Sequence, residues 1–201
     1  MIWKLNKFKN LIKMAYNGTG LTVGKNGKDY ILATHVWMMM FREEAFAKEY
    51  KAAVIEYTGE LPEAGEVFLA KKGEANQYEL REVNDWIREK YVTVHKMKEV
   101  CTVTPVFILH KGTVCRVLAR GEQTELITYE YLDAIEPGAV DQEVGETPVV
   151  GPMQKEEDMG VVYFSSNMCY FKARTRHAAL TNMEHEVLDA LKQVDFGVEE
   201  D

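Results

Sequence analysis

Lys172, Arg174 and Arg176 alternate in the stretch Lys172-Ala173-Arg174-Thr175-Arg176, directly after the apolar run Met168-Cys169-Tyr170-Phe171. If the strand that this run predicts continues through them, period-two alternation points all three cations to one side. Like charges placed so repel one another, and an anion between them relieves the cost. Phosphate suits the task, because a guanidinium presents paired donors to its oxygens. The competing explanation is a charged strand edge that discourages edge-to-edge aggregation. A second basic group, Lys9 and Lys13, lies on the polar side of an amphipathic opening segment. The first sixteen residues hold four lysines and no acid, whereas the last seven hold four acids and no base. A net charge of −8 excludes a protein that coats nucleic acid with its whole surface, but it leaves room for local basic contact.

Other chemistry finds no support in the spacing. The chain contains no glycine-rich GxxxxGK[ST] loop, no GxGxxG between strand and helix, and no GxSxG elbow. His35, His95, His110, His177 and His185 show neither HExxH nor HxH spacing. His110 and Cys115 flank a predicted turn and could approach each other, but a structural zinc needs about four ligands and none is nearby. Cys101, Cys115 and Cys169 are too few and too scattered for a disulfide framework, and they read as small buried hydrophobes. Glu43-Glu44 and Glu156-Glu157-Asp158 read as solvated surface. Met38-Met39-Met40 reads as core, with an adaptable binding surface as the alternative. No catalytic residue, metal site or cofactor is therefore assigned.

The elements that must position these residues follow from periodicity. An amphipathic helix is expected from Asn6 to Tyr16, with Leu5, Phe8, Ile12, Ala15 and Tyr16 on one side. A hairpin then joins Leu21–Val23 to Tyr30–Leu32 through Asn26-Gly27. Phe41 to Ala53 reads as helix, Val54–Tyr57 and Val67–Leu69 as strands, and Asn84–Glu89 as a short helix. The second half offers strands at Val106–Leu109, Val114–Leu118 and Leu126–Tyr129, and a brief helix at Tyr131–Ile135. A loop over 137–160 precedes the hairpin Val161–Phe164 and Met168–Phe171. A last helix is capped by Thr181 or Asn182, with Val187, Leu188 and Leu191 as its apolar stripe. This order fits an α+β fold of two helix-plus-antiparallel-sheet halves, residues 1–94 and 95–201, better than an alternating parallel fold. The longest apolar run, Val36 to Phe41, is six residues against the ~20 needed to span a bilayer. The N-terminus has no secretory pattern, so the expected location is the cytoplasm.

The stretch from Ile127 to Ile135, then Gly151-Pro152-Met153, then Gly160 to Arg174, resembles the end of a DNA sliding-clamp domain. Such domains end in a "YLLDAL"-like helix, strands and a hairpin closing near an arginine. Ala33-Thr34-His35 is similar to part of the "ATDGHR" segment of bacterial clamps, and Phe171-Lys172-Ala173-Arg174 stands where those clamps read "MPVR". The resemblance implies helices facing DNA inside a ring or arc, sheets outside, a homo-oligomer and no chemistry performed. It also implies that Lys9, Lys13, Lys172, Arg174 and Arg176 contact DNA or a replication partner. The alternative reading, drawn from the methionine run and the acidic tail, is a protein-interaction module with no nucleic-acid role.

Overall fold

Phe8, Leu11, Ile12 and Ala15 recur at helical spacing, and helix α1 (Leu5–Asn17) buries all four. The computed structural model describes residues 2–78, 100–138, 140, 142–154, 160–176, 180–194 and 196. The helix expected at 84–89, the boundary at 94/95, the acids at 156–158, His95, His177 and most of the acidic tail lie outside them. After α1 come β1 (Leu21–Asn26), β2 (Asp29–Ala33), β3 (Trp37–Arg42), α2 (Lys48–Thr58), β4 (Val67–Ala70) and β5 (Gln77–Tyr78). The later part adds β6 (Thr102–His110), β7 (Thr113–Arg120), β8 (Gln123–Thr128), α3 (Tyr129–Asp133) and β9 (Val150–Met153). Strands β10 (Val161–Ser165) and β11 (Cys169–Arg174) and helix α4 (Asn182–Leu191) complete it. The fold is α+β.

Eight strands form one antiparallel sheet in the order β5-β4-β1-β2-β3-β11-β10-β9. Strands from both ends of the chain meet where β3 pairs with β11, with Met38 opposite Lys172 and Trp37 opposite Ala173. Alternation then sorts the side chains. Leu32, Trp37, Met39, Phe41, Val162, Phe164, Phe171 and Ala173 share a core with α1 and α2. Ile31, Met38, Met40, Tyr163 and Tyr170 form a separate buried cluster on the other face. Because β3 is buried on both faces, its residues need no polar alternation, which explains the run Trp37-Met38-Met39-Met40-Phe41. All three methionines are core.

At the centre, the ring of Trp3 meets Phe171 edge-on with centroids 4.7 Å apart, and Phe41 stacks on Phe46 at 4.9 Å. Burying each such side chain is worth about 1.5–3 kcal/mol, against about 0–1 kcal/mol for a surface ion pair. The aromatic centre, not the surface charge, therefore holds the two ends of the chain together.

Three expectations are corrected here. Phe41 is the fifth residue of strand β3, and the following helix begins at Lys48 and runs through Val54 to Thr58, where a strand was expected. The β-branched pair Val54-Ile55 favours a strand locally, but Ala53, Val54 and Thr58 lie on the buried side of a helix packed beside α1. Tertiary burial outweighs propensity there, and Gly59 ends the helix in the left-handed conformation at φ 79°. The stretch 137–160 also contains a strand, β9, held to β10.

Strands β6, β7 and β8 form a second sheet in that order. One face packs on α4 through Cys115, Val117, Leu126 and Leu188. No described helix is long and apolar enough to cross a membrane.

Candidate functional site

On α1 the apolar stripe fixes what faces outward. With Phe8, Leu11, Ile12 and Ala15 inside, Asn6, Lys9, Asn10 and Lys13 are exposed, and the helix contains no acidic residue. Lys4 and Lys7, at its N-terminal end, are engaged by Asp133 at 3.3 and 2.5 Å. The hydrogen bond to Lys7 holds the Asp133 carboxyl below its ordinary range, and the same bond raises the Lys7 ammonium. Lys9 and Lys13 make no ion pair with a described residue, so they form the open positive part of the helical layer.

Lys172 and Arg174 stand next to each other on β11, on the face of the sheet turned away from α1. They line a groove of about 120 Å³ together with Thr34, His35, Val36 and Met38. The opposite wall is the tight turn between β2 and β3. Thr34 closes that turn: its Oγ1 accepts from the backbone N–H groups of Val36 at 3.2 Å and Trp37 at 3.1 Å. His35 Nδ1 lies 3.2 Å from Thr19 Oγ1, which orients the ring. The Arg174 N–H donates to the Val36 carbonyl at 2.8 Å, tying the two walls together. The Lys172 ammonium sits 5.5 Å from the centroid of the Tyr163 ring. Thus Thr34 and His35, and Lys172 and Arg174, far apart in sequence, border one groove.

Arg176 does not join them. The strand ends at Arg174, and the Arg176 backbone N–H donates to the Leu126 carbonyl at 2.8 Å while its guanidinium reaches Thr128 Oγ1 at 3.4 Å. Three cations in a row would require the strand to continue, but the chain leaves it to dock on the second sheet. Nor is β11 an edge, since it pairs with both β3 and β10. Edge protection therefore cannot explain its cations. The five basic residues resolve into one pair on the helical layer, one pair on the opposite face, and Arg176 apart from both.

His110, whose possible proximity to Cys115 the sequence suggested, instead pairs with Glu184 at 2.6 Å. No group of three or more His, Cys, Asp or Glu among the described residues could hold a metal ion. The three cysteines are buried and none forms a disulfide, and burial pushes the thiols of Cys115 and Cys169 up, away from the reactive thiolate. His185 is exposed on α4. No family model matches the chain, and no characterised protein matches it in sequence.

Proposed function

We propose that this chain is a non-enzymatic, clamp-like cytoplasmic protein that contacts DNA or a replication partner through local basic surface on its helical layer, as a homo-oligomer. The observation that carries the reading is the outward face of α1, where Lys9 and Lys13 stand among asparagines with no acid on the helix, in a protein of net charge −8. A basic helix face of this kind meets phosphates without reading base sequence. Helix α1 lies beside α2 on one face of a broad antiparallel sheet, so its basic side is part of a surface and not an isolated finger. The sheet stands between α1 and the Lys172–Arg174 groove, so a duplex resting on the helices does not touch both.

The test is duplex binding by the full chain across a range of low salt concentrations, paired with solution mass by light scattering. Sequence-independent binding whose salt dependence falls by about 2 in slope on replacing Lys9 and Lys13 by glutamine would support the reading. Binding that is absent at low salt would overturn it. A specific feature also favours the interaction-module alternative: Phe107, Leu109 and Val114 are 49%, 69% and 40% exposed on one face of the β6–β7 hairpin. A partner captured by wild type and lost on replacing Leu109 by serine would decide for that alternative if DNA binding is also absent.

A further inference from the structure

We infer that the outer edge of β6 is a self-association surface, on which β6 of a second copy pairs antiparallel about a two-fold axis at Ile108. This goes beyond the clamp-like reading, since it names the contact between copies and stands whether or not DNA binds.

A strand at the edge of a sheet leaves a row of N–H and C=O groups unpaired, and folds shorten, cover or charge such rows. Three of the four edges here are treated in that way. In the eight-stranded sheet β5 is only two residues long. At the other end β9 is covered by a bridge from Val100 to Met153 and by the Cys101 N–H, which donates to the Pro152 carbonyl at 2.7 Å. In the three-stranded sheet β8 is covered where the Arg176 N–H donates to the Leu126 carbonyl. Strand β6 is the exception. It is nine residues long, pairs only with β7 among the described residues, and contains no Lys, Arg, Asp or Glu. Its proline, Pro105, lies at the irregularity between Val103 and Phe107, so the regular part of the edge runs from Phe107 to His110.

The turn fixes the register. Lys111 and Gly112 have φ of 47° and 78°, the pair of positive values that suits a two-residue hairpin, so His110 and Thr113 close the ladder. Alternation then turns the N–H and C=O of Ile108 toward β7 and those of Phe107 and Leu109 outward. Set antiparallel about Ile108, two copies place Phe107 of each opposite Leu109 of the other. The two outward N–H groups of each copy then meet carbonyls of its mate. Antiparallel pairing also sends the two turns, each with an exposed Lys111, in opposite directions.

Charge selects a second copy as the occupant. Two chains of net charge −8 repel one another, and they meet at least cost where neither is charged. Strand β6 is such a place, and Phe107, Leu109 and Val114 add exposed apolar side chains on one face of it and β7. Arg116, on the same face, lies 4.3 Å from the centroid of the Phe107 ring and donates to the Thr104 carbonyl of its own chain. A different partner would be told from its competitors by charged or repulsive features, and the strand offers none to read. Size sets the strength. The exposed side chains amount to about a few hundred Å² per copy, against the roughly 800 Å² per partner of a standard interface. The dimer therefore dissociates on dilution.

The experiment is sedimentation equilibrium of the full chain, wild type and Leu109→Lys, over a wide range of protein concentration and at two salt concentrations. Wild type should pass from monomer to dimer as concentration rises. Leu109→Lys should weaken that association roughly tenfold or more, because it sets two ammonium groups into the seam. Leu109 is exposed, so the variant should keep the wild-type melting curve. Association should strengthen with salt, as screening relieves the repulsion between the two acidic chains, whereas duplex binding weakens with salt. A cross-linking arm tests the register. Residues directly opposite in such a pair have Cα atoms about 5.5 Å apart, which suits a disulfide. An equimolar mixture of Phe107→Cys and Leu109→Cys should therefore cross-link under mild oxidation, and either variant alone should not. The native cysteines are buried and give no background. A monomer at every concentration overturns the inference and leaves this face to a different protein. An oligomer that Leu109→Lys leaves unchanged also overturns it, and so does cross-linking of the single variants as efficient as that of the mixture. Duplex binding by Leu109→Lys keeps the two proposals apart, since this variant should lose the dimer and leave the Lys9 and Lys13 face as it was.

Discussion

His110 Nδ1 lies 2.6 Å from Glu184 Oε1, and this contact fastens the tip of the β6–β7 hairpin to the first turn of α4. The other Glu184 oxygen accepts from the backbone N–H and the hydroxyl of Thr181 at 2.7 and 2.8 Å. One carboxylate thus caps the helix and anchors it. Within α4 only Leu188 is fully buried, with Leu191 packed partly buried beside it, so these polar contacts add to a small apolar seat. Thr181→Ala should cost about 1 kcal/mol, the usual worth of such a cap. His110→Ala should lower the urea midpoint further, because it leaves the anchor without its buried partner. Cys115 is wholly buried beneath the helix, and faster labelling of its thiol in native buffer would report α4 lifting. Unchanged labelling in His110→Ala would refute the anchoring role.

The same carboxylate predicts a pH dependence. The backbone N–H of Thr181, then His110, pull the Glu184 pKa down from 4.5 to about 2. A carboxyl depressed in the folded state stabilises the fold above its unfolded value, and that contribution fades as pH falls through the folded one. Docking of α4 should therefore weaken from about pH 4.5 downward and be lost near pH 2. Acid titration followed by Cys115 labelling should show this transition in the wild type, and Glu184→Gln should flatten it.

Core packing gives a prediction of a different kind. Phe171 is fully buried between Trp3, Tyr131 and Phe164, at the seam where β11 meets β3. Truncation to alanine should cost about 3–5 kcal/mol by urea unfolding, since it removes apolar contact and leaves a cavity. A loss below 1 kcal/mol would mean that the seam is not what joins the two ends of the chain.

Much of this architecture was legible because it is local. The stripe on α1, the Asn26-Gly27 hairpin, the β6–β7 and β10–β11 hairpins and the Thr181 cap all follow from residues within a few positions of one another. What escaped depends on distance. Val54 sits in a helix because of what packs on it, and β9 is a strand because β10 is beside it. Glu184 lies 74 residues from His110, and no spacing rule links them. The site was half legible for the same reason: alternation paired Lys172 with Arg174, but the backbone departure that removes Arg176 is set by contact with Leu126.

Gly151 tests how tightly β9 is fitted. Its φ is +134°, and a Cβ there would stand 2.6 Å from the Tyr163 carbonyl oxygen. Gly27 also has positive φ, at +56°, but nothing lies within 4 Å of its Cβ position. Gly27→Ala should therefore cost about 1–2 kcal/mol, the backbone term alone. Gly151→Ala should cost clearly more, since the clash is with backbone and strands β9 and β10 must part to relieve it. Equal midpoints in thermal unfolding would show that β9 moves freely.

Asp133 offers a gain-of-function test of the DNA reading. It neutralises Lys4 and Lys7 at the N-terminal end of α1, while Lys9 and Lys13 remain open one to two turns further along. Lys7 and Lys13 are six residues apart, about 9 Å along the helix axis, so Lys7, once freed, acts within about one Debye length of roughly 10 Å of Lys9 and Lys13. Asp133→Asn removes one negative charge and frees two positive ones without altering the apolar stripe that seats α1. If phosphates lie on this face, the variant should bind duplex DNA more tightly than wild type at low salt, with a steeper loss as salt rises. A surface that meets no polyanion has no reason to respond, and identical affinities in the two proteins would count directly against DNA as the partner of α1.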